Sequence, residues 1–175
     1  MASSLALAGC NGYAGRPACG AYVNSEGRSV DGTVCQTRLT GELRLDPAWS
    51  TEEQVALVSA ADEWNRVTGG VVDPKVSVSD EPNVLRGCTD QIYNWGHSAV
   101  ADSFVGAICI YPSADLYTLR ALALHEIGHH IGLGHASDAG EIMYPFLGVG
   151  EITPADLDHF RKLIIAQNAS GRVHD

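Results

Sequence analysis

"ALHEIGHHIGLGHASDAGEIMYPF", residues 123–146, packs four histidines and two glutamates ahead of a Met-Tyr-Pro, and its reading decides the rest of the chain. Leu116, Leu119, Ala123, Ile127 and Ile131 recur at spacings of three and four, which predicts a helix capped by Ser113 or Asp115 and running to about Gly132. His125 and His129, four apart, share one face of such a helix and can aim imidazole nitrogens at one ion roughly 2.0 to 2.1 Å away. Gly132 tolerates backbone angles that let a helix end and turn sharply. His135 then arrives from outside the helix as a third ligand and leaves a fourth tetrahedral position open, which distinguishes a catalytic zinc from a structural one.

Zinc lowers the pKa of a bound water from about 16 to roughly 7. Glu126 sits about 100° round the helix from His125, placed to take the proton of that water and hand it to a leaving amine. The metal would also polarise a scissile carbonyl, so the reaction class is peptide-bond hydrolysis. His130 points away from the His125/His129 direction and is read as a surface or packing residue. His97, His159 and His174 are read the same way.

"HEIGHHIGLGH" followed by Met143 in "IMYP" resembles the signature of the metzincin zinc endopeptidases. Within that clan "HASDAGEIMYP" is similar to the matrixins, without a gap. Astacins and serralysins carry a tyrosine ligand where Pro145 stands, so Tyr144 is not assigned to the metal. A gluzincin-like site with a distant glutamate ligand does not fit the position of His135. The resemblance extends to "ITPADLDHFRKL" and more loosely back to "TEEQVALVSAADEW". It implies an α+β, α/β/α-like metzincin fold with a twisted, mostly parallel sheet, a backing helix, an active-site helix and a small lower subdomain ending in a C-terminal helix. It further implies one catalytic Zn2+ on His125, His129 and His135, Met143 as a hydrophobic floor, and an S1' wall that includes Tyr144, Pro145 and Phe146. The family's His-x-Asp element for a second zinc is missing, and no motif here supports calcium, although the resemblance leaves room for Ca2+. "RPACGAY" around Cys19 resembles the family's latency sequence only at Cys-Gly and a nearby Arg-Pro.

The 175 residues suit one domain, read as an arm over 1–35 and a catalytic domain over 36–170 that divides near 132. Hydrophobic residues at 45% and charged residues at 18% predict a folded chain. Lys and Arg number 11 against 21 Asp and Glu, and the formal charge of -10 argues against nucleic acid and anionic membrane surfaces as partners. The expected partners are protein or peptide substrates, and the expected state is a monomer. No apolar run approaches the ~20 residues of a membrane-spanning helix. Leu7-Ala8-Gly9-Cys10 resembles a bacterial lipobox, with Cys10 as the lipid anchor, so the expectation is a secreted protein or a cell-envelope lipoprotein. The remaining cysteines allow two disulfides, of which Cys19–Cys35 and Cys88–Cys109 join nearest partners. A non-catalytic envelope lipoprotein that uses the same fold for binding is the competing reading.

Six further elements follow from pattern. "TRLTGELRLDP", "KVSVSDEP", "TDQIYNWGH" and "FVGAICIYP" read as strands. "STEEQVALVSAADEWNRVTGG" reads as a helix opened by Ser50 or Thr51 with Glu53 or Gln54, with Val58, Ala61, Trp64 and Thr68 on one face and Leu57 beside it. "ITPADLDHFRKLIIAQ" starts a helix at Thr153, with Pro154 in its first position and Asp156 in its first turn.

Overall fold

Alternating leucines, helix caps and prolines divide the described residues into two sheets and three helices. The computed structural model describes residues 22–23, 29–30, 41–87, 99–102, 107–112, 115–146 and 149–169. Tyr22–Val23 (β1) and Ser29–Val30 (β2) pair antiparallel, a short ladder inside the arm that had been expected to be irregular. Glu42–Leu45 (β3), Lys75–Val78 (β4), Val84–Arg86 (β5), Ala99–Asp102 (β6) and Ala107–Ile110 (β7) form the main sheet, in the order β4-β3-β5-β7-β6. The first four in that order run parallel, and β6 lies antiparallel along the edge. The mostly parallel α+β architecture is therefore present. Helices Thr51–Val67 (α1), Leu116–His130 (α2) and Pro154–Ala169 (α3) complete it.

In β3, Leu43 and Leu45 alternate with Glu42 and Arg44, and only the leucines are buried. Their face meets α1 and α2 in one core with Leu57, Val84, Ile108, Ile110 and Ile127. The helix begins where Ser50 accepts from the Glu53 amide and the Glu53 carboxylate accepts from the Ser50 amide, a reciprocal cap that satisfies two N-terminal N–H groups. The same buried Glu53 takes both arms of the Arg86 guanidinium at 3.1 and 3.2 Å, tying α1 to β5. That guanidinium holds the Glu53 carboxyl below its usual range, against the opposing effect of burial.

Several sequence expectations shift. The buried face of α1 runs through Ala56, Leu57, Ala60, Ala61 and Trp64, with Val58 only partly buried and Thr68 serving as C-cap. Three alanines in that face let α1 approach α2 closely, and Trp64 Nε1 donates to Leu124 O across the gap at 2.9 Å. α2 is buried from Leu119 to His130, Arg120 excepted, with little respect for one stripe, because the sheet, α1 and the segment after Gly132 surround it. Leu116, expected in the core, is instead exposed at the helix entrance, and His130, read as a surface or packing residue, is buried. Asp115 is the cap, accepting from the Tyr117 and Thr118 amides. β5 and β6 were not expected, whereas "TDQIYNWGH" and His97 lie outside the described residues. β5 is too short to show a pattern, and it is positioned by Asn83, whose side chain accepts from Arg44 N and donates to Glu42 O like a strand neighbour.

Candidate metal centre

The last two turns of α2 bring His125 and His129 to one face, and the break at Gly132 brings back the third histidine. Gly132 has φ +103°, a conformation that glycine adopts without the clash a Cβ would cause. Its amide bonds to His129 O, the Leu133 amide bonds to Gly128 O, and the Ala136 amide bonds to Met143 O at 2.8 Å. These bonds fold residues 133–136 under the helix end. His135 thereby stands with its ring centroid 4.7 Å from that of His129 and 5.3 Å from that of His125.

Backbone carbonyls fix which nitrogens face inward. His125 Nδ1 lies 2.7 Å from Ile142 O, and His129 Nδ1 lies 2.8 Å from Leu133 O. A carbonyl only accepts, so each Nδ1 must carry its proton and each Nε2 must present a lone pair. His129 Nε2 and His135 Nε2 are 3.2 Å apart, close to the ~3.3 Å edge expected when two nitrogens share a tetrahedral zinc. His125 Nε2 is buried with no hydrogen-bond partner among the described residues. The ligand atoms of all three histidines lie within 4.8 Å of one another, which makes the group able to hold a metal ion. An all-imidazole set suits zinc.

Burial drives all three imidazoles toward the neutral form that a metal requires. It pushes His125 down to about 4 and His129 well below its ordinary value, and it lowers His135 as well. The bond to Ile142 O and the Asp156 carboxylate partly oppose this at His125. Because the folded value lies below the 6.5 of an unperturbed imidazole, this contribution to stability is complete above about pH 6.5 and is lost as pH falls toward about 4. Thermal melts of metal-free protein should show the midpoint falling across that window, and zinc content should decline over the same range.

Glu126 is 1% exposed beside His125. Met143 is equally buried and presses on Gly128, where an added Cβ would collide with the methionine sulfur and approach Trp64 to 3.3 Å. The glycine inside the histidine motif is thus a close-packing position under the metal site. Tyr144 and the half-exposed Phe146 pair with ring centroids 5.7 Å apart just beyond the Met-turn.

One residue of the site was not foreseen. Asp156 is fully buried, and its carboxylate accepts from the Ile142 amide at 3.1 Å, the Met143 amide at 3.2 Å and the Thr153 amide at 2.9 Å. The Thr153 hydroxyl donates to it as well, and the Asp156 amide returns a bond to that hydroxyl. From sequence Asp156 was legible only as a helix-start acid, because its long-range partners are backbone amides that leave no signature. His159, expected to be a surface or packing residue, places Nδ1 3.2 Å from Glu141 Oε2 and so links α3 to the same turn.

A family model described as Matrixin matches residues 28–162. The chain belongs to the matrixin family. Among curated matrixin-like relatives, Metalloendoproteinase 1 of Glycine max is 39% identical over 62 residues, covering 33% of this chain and 20% of that protein. Metalloendoproteinase 2-MMP of Arabidopsis thaliana is 41% identical over 58 residues, 33% of this chain and 14% of its own length. The Interstitial collagenase of Oryctolagus cuniculus is 42% identical over 45 residues, 24% of this chain and 10% of its own length. The matched part of this matrixin thus spans a fifth or less of each of these relatives. Cys10, Cys19, Cys35 and Cys88 lie outside the described residues. Cys109 of β7 is disulfide-bonded, with its partner also outside them.

Proposed function

We propose that this matrixin is a zinc-dependent endopeptidase that hydrolyses peptide bonds in proteins or peptides. The observation that carries the reading is the inward set of Nε2 lone pairs, fixed by the carbonyls of Ile142 and Leu133, with Glu126 buried alongside. His125, His129 and His135 would hold the ion. Zinc held there would supply a Lewis acid for the scissile carbonyl and acidify a coordinated water. Glu126 accepts the proton from the attacking water and delivers it to the leaving amine. Met143 forms the apolar floor, and Tyr144, Pro145 and Phe146 line the wall beside the substrate residue that follows the scissile bond. The intact Glu126 disfavours the competing reading of a non-catalytic envelope lipoprotein.

Residues 36–170 would form the catalytic domain, dividing near Gly132. Export, with Cys10 as a lipid anchor, rests on the Leu7–Cys10 sequence alone, and a Cys88–Cys109 bridge is the pairing favoured for Cys109. No described helix is long and apolar enough to cross a membrane. Casein cleavage by the zinc-loaded chain is expected to disappear with 1,10-phenanthroline and to return when zinc is restored. A zinc-loaded protein that cleaves neither casein nor peptides, or cleavage indifferent to the chelator, contradicts the proposal.

A further inference from the structure

One buried carboxylate beside the metal centre is used neither by the proposed chemistry nor by the anchor at Asp156. Glu141 heads the Met-turn: its amide donates to Asp138 O at 3.1 Å, and its carbonyl accepts from the Tyr144 amide at 3.2 Å, which closes residues 141–144. The Glu141 side chain is buried, and its Oε2 has no hydrogen-bond partner among the described residues. His159 Nδ1 stands 3.2 Å from that oxygen, within ion-pair reach. His159 lies three residues after Asp156 on α3, so the two share the helix face that meets the turn. Burial pushes the Glu141 carboxyl above its usual range; the His159 imidazole opposes that shift, and the Asp156 and Asp138 carboxylates reinforce it. Among the described residues no lysine or arginine forms an ion pair with Glu141 or Asp156. The imidazole is what offsets the repulsion, because an Oε2–Nδ1 pair that holds one proton is neutral as a unit whichever atom carries it.

We propose that His159 and Glu141 are positioning residues for the metal centre: the imidazole cancels the Glu141 charge, lets the Met-turn close on Asp156, and so keeps Ile142 O on His125 Nδ1. This rests on the zinc site of the proposed endopeptidase and not on turnover. The path is short, since Glu141 adjoins Ile142, whose amide donates to Asp156 at 3.1 Å and whose carbonyl lies 2.7 Å from His125 Nδ1. Removing one member of a buried pair leaves the other's charge uncompensated, whereas neutralising both removes the conflict. Loss of His159 alone should therefore harm the site more than loss of both groups. His129 supplies an internal reference, because Leu133 O, outside the Met-turn, holds its Nδ1.

The test is a competition titration of the metal-free full chain with Zn2+ against a chromophoric chelator near neutral pH, for wild type, His159→Gln, Glu141→Gln and the double variant. His159→Gln is expected to weaken zinc binding by about tenfold or more, and Glu141→Gln by roughly threefold or less. The double variant should return to within about threefold of wild type. In nitrogen-edited NMR spectra of the metal-free protein, the His125 Nδ1 proton should exchange faster in His159→Gln while the His129 Nδ1 proton keeps its wild-type rate. A pair that served stability alone would lower the melting temperature without moving zinc affinity, or would quicken both protons together. If His159→Gln fails to fold, the double variant decides: zinc binding close to wild type supports the proposal, and lost binding overturns it. Equal zinc affinity in all four proteins, losses that add in the double variant, faster exchange shared by His129, or a wild type that binds no zinc would also overturn it. A wild type that binds zinc and shows the expected pattern but cleaves no casein would sink the endopeptidase reading while leaving the positioning pair standing.

Discussion

Glu126→Gln is expected to lower the rate of peptide cleavage by about 10²- to 10⁴-fold while zinc content and thermal midpoint stay close to wild type. The substitution keeps the size of the side chain and removes its ability to take a proton. Glu126 is buried next to a ligand, so the carboxylate acts where bulk water cannot substitute for it at full efficiency. Metal content should not follow activity, because the imidazoles of His125 and His129 are oriented by the carbonyls of Ile142 and Leu133. Parallel assays of peptide hydrolysis and bound zinc would check the separation. Retained activity in the variant would remove Glu126 from the chemistry, and lost zinc would recast it as a structural support.

Asp156→Ala should give the largest stability change. Its carboxylate is fully buried and receives the amides of Ile142, Met143 and Thr153 together with the Thr153 hydroxyl. Each buried donor left without a partner costs about 1–3 kcal/mol. The variant should therefore lose on the order of 3–5 kcal/mol, or roughly 6–20 °C in melting temperature. The effect should reach the metal, since Ile142, whose amide Asp156 holds, presents the carbonyl that orients His125. Weaker zinc binding is expected alongside the lower midpoint. Asp156→Asn should be intermediate, as one oxygen survives as an acceptor while the new amide group faces an N–H. Differential scanning calorimetry of both variants, with and without zinc, measures the two effects separately.

The legible parts of this protein were those whose chemistry is local. His125, His129, Gly132 and His135 could be read because a helix period and one turn relate them, and the caps at Ser50 and Asp115 because each acts within three residues. The reading failed where neighbours distant in sequence decide. α2 is covered on most sides beyond its entrance, and an amphipathic stripe misjudged Leu116. β5 exists because Asn83 and the flanking strands accept it, not because three residues have a pattern of their own. Arg120 and Asp156 looked like ordinary helix residues, and their partners, Gly150 O and the amides of the Met-turn, are backbone atoms common to every residue. Gly128 was visible inside the motif, yet its close-packing role depends on Met143, fifteen positions later.

The central claim is that His125, His129 and His135 together bind one zinc ion through Nε2. Zinc-edge X-ray absorption on the purified chain tests it most directly, with His135→Ala as the comparison. The account predicts one zinc per chain, three imidazole nitrogens at about 2.0–2.1 Å with one further light-atom ligand, and loss of one imidazole from that shell in the variant. A shell containing sulfur, or one left unchanged when His135 is removed, would contradict it.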